Sequence, residues 1–136
     1  MRALSIRQPY AELILRGVKT AELRSRRTSV VGERFYIYAA RARARVPIWS
    51  ADLRAGGAPP AWLVELAEQV GMIPPGELAG LPTGVIVGSA VIERVTPPEP
   101  GDADALFRWH LVDVERAKRL RKPTGHPQPV WFRPFR

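Results

Sequence analysis

The sequence contains no cysteine. That absence excludes a disulfide framework, a thiolate nucleophile and any zinc site built on cysteine. Asparagine is missing too, and histidine is confined to His110 and His126. Neither histidine stands at metal-ligand spacing from a second donor, so no metal and no other cofactor is expected. No apolar run approaches the roughly 20 residues that span a bilayer. The first residues lack the charged, apolar and cleavage regions of a secretory leader. The expectation is therefore a cytoplasmic protein with no membrane association. Lysine is scarce: Lys19, Lys118 and Lys122 are the only ones among 21 basic residues, and the rest are arginine. Few amides and 14 prolines suit a protein of a thermophile, although a GC-rich genome produces much the same bias.

What is present in excess is positive charge, +8 at neutral pH, and it is unevenly placed. Residues 1–45 carry 11 basic and 3 acidic residues, residues 46–107 carry 2 and 8, and residues 108–136 carry 8 and 2. If the two ends of the chain lie side by side, as in a closed barrel, their basic residues form one face. Such a field attracts polyanions through counterion release. Nucleic acid, RNA rather than DNA, is the expected partner. The 136 residues amount to one ordinary domain, 1–136, able to bury a core without disulfides or metal. The acidic, helix-rich stretch 46–82 is too short for a core of its own and reads as an insertion within that domain. The wider acidic segment 46–107 offers a surface to a basic protein partner.

Along the chain, Ala3 to Ile6 reads as a first strand. Gln8-Pro9 opens a helix, with proline at the first helical position. Tyr10, Leu13 and Ile14 give that helix an apolar face, and Gly17 supplies its left-handed stop. Lys19 to Arg24 is extended. Glu33 to Ala40 alternates, with Phe35, Ile37 and Ala39 on one side and Arg34, Tyr36 and Tyr38 on the other. Ile48 to Leu53 and Pro60 to Val70 look helical, and Trp49 and Trp62 read as packing anchors there. Pro74-Pro75-Gly76 and Leu81-Pro82-Thr83-Gly84 read as breaks. Gly84 to Val95 is the strongest strand signal, with Gly88 marking a bulge or a close backbone approach. Pro97 to Asp104 is an acidic loop. Phe107 to Val114 alternates as a strand, and residues 115–122 read either as its continuation or as a basic turn of helix. Val130 to Phe135 is a last strand, placed at an edge because Pro134 interrupts it. Six strands with a helix after the first give an α+β fold, a small mixed β-barrel whose closure hides its strand edges.

Residues 4 to 24 follow the order Leu4-Ser5-Ile6-x-Gln8-Pro9-Tyr10, Gly17-x-Lys19, Glu22-x-Arg24. This order resembles the opening signature of the ASCH domain, and it recurs in the ASCH domain at the C-terminal end of the eukaryotic activating signal cointegrator. The likeness continues through Gly32 to Ala40 and Gly84 to Ile92, and ends at Gly125-His126-Pro127 and Trp131. It implies a PUA-like barrel, the architecture that the strand count also suggests. It further implies that the C-terminal segment lies across a cleft from the Gly-x-Lys turn.

Binding without catalysis is the leading reading of these residues. Gly17 lets the backbone approach a phosphate or base closely. Lys19 and Arg24 supply charge and Glu22 orients them, or accepts from an exocyclic amine. Ser5, Gln8 and Pro9 come from the same motif, and Gly125, His126 and Trp131 from the facing segment. Arg41, Arg43 and Arg45, with Arg116 to Lys122, would track the backbone. Tyr10, Tyr36, Tyr38, Trp109 and Trp131 are candidates for stacking a base, although most belong to the core. The bland alternative is a surface ion-pair ladder of little energetic weight.

Two hydrolytic readings compete. In some ASCH relatives a lysine acts with a threonine and a glutamate to release an acyl group from a modified cytidine. Lys19 and Glu22 would be the catalytic pair here, but Glu22 stands where that threonine would fall. A carboxylate does not replace a hydroxyl nucleophile. The family also implies a metal-stimulated ribonuclease, which needs converging carboxylates or histidines; Glu12, Glu22, Glu33 and Glu93 lie in separate segments. A protein-interaction module of a regulatory complex and a pocket for a small molecule or modified nucleoside are the remaining classes.

Overall fold

The computed structural model describes residues 1–44, 61–100 and 106–135. Alternation in the sequence explains how its sheet is built. In strand β3 (Arg34–Ala40), Phe35, Ile37 and Ala39 enter the main core, together with Leu4 and Ile6 of β1 (Ala3–Arg7). The opposite faces of the same strands are also covered. Tyr38 and Ala3 pack with Ile86 and Phe132 in a second cluster, which Tyr36 and Phe135 border. Two-sided burial accounts for the nearly unbroken apolar run of β1 and for its parallel pairing with β3, with Leu4 opposite Ile37.

Helix α1 (Tyr10–Leu15) crosses between β1 and β2 (Ala21–Arg24). Pro9 stands one residue before the helix as its N-cap, not inside it. Its carbonyl accepts the first helical bond from Leu13 N–H at 3.0 Å. The polar cap comes instead from Gln8, whose side-chain oxygen accepts from Glu12 N–H at 3.0 Å. This satisfies one of the orphan donors of the first turn.

Helices α2 (Ala61–Gly71) and α3 (Pro75–Gly80) follow β3. Leu63 and Val70 of α2 are buried, and Val70 packs with Ile73 against Leu13 of α1. The break expected at Pro74-Pro75-Gly76 is in fact the start of α3, because Pro75 occupies the first turn, where a missing N–H costs nothing. The expected helix 48–53, with Trp49 and Arg45, lies outside the described residues, as do residues 101–105 of the acidic loop. Among the described residues no helix is long and apolar enough to cross a membrane.

Strands β4 (Val85–Thr96) and β5 (Phe107–Arg121) form a long antiparallel pair. The basic stretch 115–121 therefore continues the strand. The last strand, β6 (Trp131–Phe132), is short and pairs antiparallel with β1. The six strands form one sheet in the order β2-β5-β4-β3-β1-β6, curled into a half-barrel with β2 and β6 at its edges. Side chains, not a ladder, span the remaining gap. Trp131 of β6 stacks on Trp109 of β5 at 6.0 Å with an interplanar angle of 3°. Phe35 meets the same Trp131 edge-on at 5.2 Å.

Candidate nucleic-acid interface

The motif builds its turn as follows. Gly17 has φ 75°, the left-handed value that ends α1. Val18 N–H and Lys19 N–H then both donate to the Leu13 carbonyl, at 3.0 and 3.1 Å, so the chain reverses tightly. The reversal points Lys19 inward, where it is only 4% exposed. Its ammonium donates to the Ala21 carbonyl and to Glu22 Oε1, the latter at 3.1 Å. Glu22, 6% exposed, uses its other oxygen to accept from Arg24 Nε at 3.2 Å and from the Arg24 terminal nitrogen at 2.9 Å. Burial opposes ionisation of Glu22. The Lys19 and Arg24 charges outweigh it and hold the carboxyl below its usual range. Arg24 also donates to the Ser5 carbonyl at 2.7 Å and lies 5.7 Å over the Trp109 ring. One guanidinium thus ties edge strand β2 across to β1.

Of these residues, Ser5, Glu22 and Arg24 line a cleft of about 760 Å³. Ser5 and Arg7 enter it from β1, Tyr10 from α1, Glu22 and Arg24 from β2, and Tyr38 and Arg41 from the end of β3. The loop His126–Pro129 closes the far side. Ser5 pins that loop twice: its hydroxyl donates to the Gln128 carbonyl at 2.6 Å and its N–H to the Val130 carbonyl at 2.9 Å. Arg7 and Arg41 are exposed, and among the described residues neither has an ion-pair or hydrogen-bond partner. The Tyr10 phenol is raised above its usual pKa by burial and by the Glu22 charge, with Arg7 opposing. It is a neutral hydroxyl at pH 7.

Of the residues singled out in the sequence, Ser5, Tyr10, Glu22, Arg24, Tyr38, Arg41 and His126 line this cleft. The other described ones lie elsewhere. Lys19 is behind Glu22 and borders a separate pit beside Thr20 and Trp62. Gln8 is buried, with its amide nitrogen donating to the Pro82 carbonyl at 3.0 Å, and Pro9 is buried next to it. Gly17 is part of the turn. Arg43 donates to the Leu81 and Leu78 carbonyls and so anchors the segment after α3. Gly125 donates to the Pro134 carbonyl at 2.8 Å, and a Cβ there would lie 2.2 Å from the Arg133 carbonyl oxygen. Trp131 belongs to the stack that spans the barrel gap. Arg7 and Gln128 are cleft residues that the motif does not flag. The available signal for Arg7 was its position two residues after Ser5, on the same side of β1.

Among the described residues the two hydrolytic arrangements are not assembled. Lys19 spends its ammonium on Ala21 and Glu22, and it has no hydroxyl partner among the described residues. Glu12 is held on the other side of α1 by Arg116, at 2.9 and 2.8 Å, and by Arg16 at 2.7 Å; these cations keep its carboxyl below the usual range. Glu33 faces Arg2 at 3.8 Å. Among the described residues no three His, Asp or Glu side chains gather as metal ligands. His110 sits 2.9 Å from the Thr96 hydroxyl, away from the cleft, with its pKa lowered by burial and by Arg94 and Arg108.

Comparison with known proteins bears on the family and the fold. The sequence model of the ASCH domain matches residues 4–120. The fold is similar to the crystal structure of ASCH from Zymomonas mobilis, with a TM-score of 0.56 over 96% of this chain and 85% of that one. Identity to it is 14%, so the likeness is one of fold. No curated protein matches the sequence.

Proposed function

The chain belongs to the ASCH domain family, and from that premise we propose that its cleft binds unpaired RNA. The observation that carries this reading is the arrangement of charge. Two arginines without ion-pair or hydrogen-bond partners among the described residues, Arg7 and Arg41, border a concavity whose lining holds a buried, ionised Glu22 and the half-buried ring of Tyr10. Partnerless cations at a rim suit phosphates. An aromatic ring within offers a stacking surface worth roughly 1–3 kcal/mol per base. Glu22, kept charged, accepts hydrogen bonds from base amino or imino groups. A cleft of this size suits a base turned out of a strand, which is how RNA sequence is usually read.

The test is anisotropy of a labelled 12-nucleotide RNA between 50 and 200 mM salt. Replacing both Arg7 and Arg41 by alanine should weaken binding tenfold or more. It should also reduce the log–log salt slope by about 1.4, the value for two single-strand phosphate contacts. Exchanging Glu65 and Glu68 of α2 for glutamine should leave both quantities nearly unchanged. Equal effects of the two double variants would refute the cleft as the site.

A further inference from the structure

Arg116, Lys118, Arg119 and Arg121 do not enter the cleft, yet they are not scattered. Beyond His110, β5 leaves its β2 neighbour, since that pairing covers only Ala21–Arg24 against Phe107–His110. On its other side the ladder to β4 is irregular. Gly88 faces Arg116 and Ile86 faces Arg121, so two steps on β4 match five on β5, and three residues of β5 are surplus. The surplus is a large bulge. It carries Lys118 and Arg119, both exposed and without partners among the described residues. Beside the bulge is a groove of about 440 Å³, whose other wall is Tyr36, Ile86 and Ser89. Arg121 lies over the rings of Phe135 and Tyr36, at 4.4 and 5.5 Å, and donates to the Tyr36 hydroxyl at 3.3 Å. Among the described residues Glu115 is the one acid lining the groove, 4.0 Å from Arg34.

Groove and cleft are neighbours. Tyr36 lines the groove and Tyr38 the cleft, and they share one side of β3 two residues apart, about 6.6 Å along the strand. Arg121 lines the groove and His126 the cleft, so a connection of four residues, five steps along the chain and at most about 18 Å, separates them.

We infer that the groove beside the β5 bulge is a second binding site, taking the sugar-phosphate backbone of the same RNA strand whose base enters the cleft. This rests on the reading of the cleft as an RNA site. Lys118 and Arg119 supply the phosphate contacts, while Arg121, locked between two rings, fixes the bulge beside them. A bound strand then has to be long enough to reach both concavities around the 122–125 turn.

The test compares a 3-nucleotide and a 12-nucleotide RNA by calorimetry on three proteins: the native chain, Lys118→Ala with Arg119→Ala, and Arg7→Ala with Arg41→Ala. The groove variant should weaken the 12-mer at least fivefold and leave the 3-mer unchanged, whereas the cleft variant should weaken both. Unaltered thermal unfolding of the groove variant, whose changes are on exposed side chains, excludes misfolding. If the groove variant leaves the 12-mer unchanged, the second site is refuted and the cleft reading survives. If only the groove variant matters, the cleft reading fails and the groove stands alone. Displacement of the 12-mer by polyglutamate as readily as by unlabelled RNA would reduce the groove to a general polyanion surface and overturn the inference.

Discussion

At the scale of single residues, Glu22 decides more than its neighbours. It is a buried carboxylate with a cation on each oxygen. Removing one partner leaves a buried charge half compensated, which costs about 3–5 kcal/mol where it has been measured. Lys19→Met should therefore lower stability by that order in urea denaturation, although Lys19 does not line the cleft. The pH dependence follows from the sign of the shift. The folded pKa of Glu22 is depressed, so its contribution is complete above the unfolded-chain value, near 4.3. It is lost as pH falls through the lower folded value. Glu12 is shifted in the same direction and adds to the same acid limb. Glu22→Gln should thus be less stable than the native chain at pH 7, and its stability should fall less between pH 5 and pH 2. A parallel fall in both proteins would show that the Glu22 carboxyl titrates alike in the folded and unfolded chain.

At the scale of elements, the glycines of the strand pair and of the helix stop make different demands. A Cβ on Gly88 would lie 2.4 Å from the Glu115 carbonyl oxygen and 2.5 Å from Leu15 Cδ2, where β5 and α1 meet β4. A Cβ on Gly17 meets nothing within 4 Å, but the residue sits at φ 75°. Gly88→Ala should cost about 3 kcal/mol through overpacking, and Gly17→Ala about 1 kcal/mol through backbone strain alone. Urea midpoints with unchanged slopes would measure both. The order should reverse only if the β4–β5 contact can open freely. Gly88 was legible in the sequence as a glycine inside a strand pattern, and β1, α1, β3 and β4 were legible from alternation and caps. The run 115–121 was not, because its alternation is broken by a bulge that only pairing with β4 defines. Helix α3 was missed for a different reason: Pro74-Pro75-Gly76 carries break signals that also fit a helix start. The inward turn of Lys19 was equally hidden, since parity along an extended run fails once the run begins in a turn.

At the scale of the whole molecule, charge segregation along the sequence led to the expectation of one basic face, whereas the structure divides these residues between two concavities. The first and last strands do lie together, as β1 beside β6. That brings the His126–Pro129 loop over Arg7, Arg24 and Arg41, while the 116–121 cluster faces the neighbouring groove. The geometry of both depends on how the half-barrel is held. With β2 and β6 unpaired to each other, the Trp109–Trp131 stack and the Arg24 bond to Ser5 bridge the gap. These contacts join strands remote in sequence, so no local pattern announces them. Trp131 does not line the cleft, but its ring supports Trp109, over which Arg24 lies. Trp131→Ala should therefore cost about 3 kcal/mol of stability and, on the proposed reading of the cleft, also weaken RNA binding, because Arg24 and the Ser5-pinned loop lose their spacing. By linkage, RNA at 100 times its Kd should return about 2.7 kcal/mol to the native fold, seen as a raised Tm. In the Trp131→Ala protein the rise at the same RNA concentration should be smaller. An unchanged rise would mean that the cleft keeps its shape without the stack.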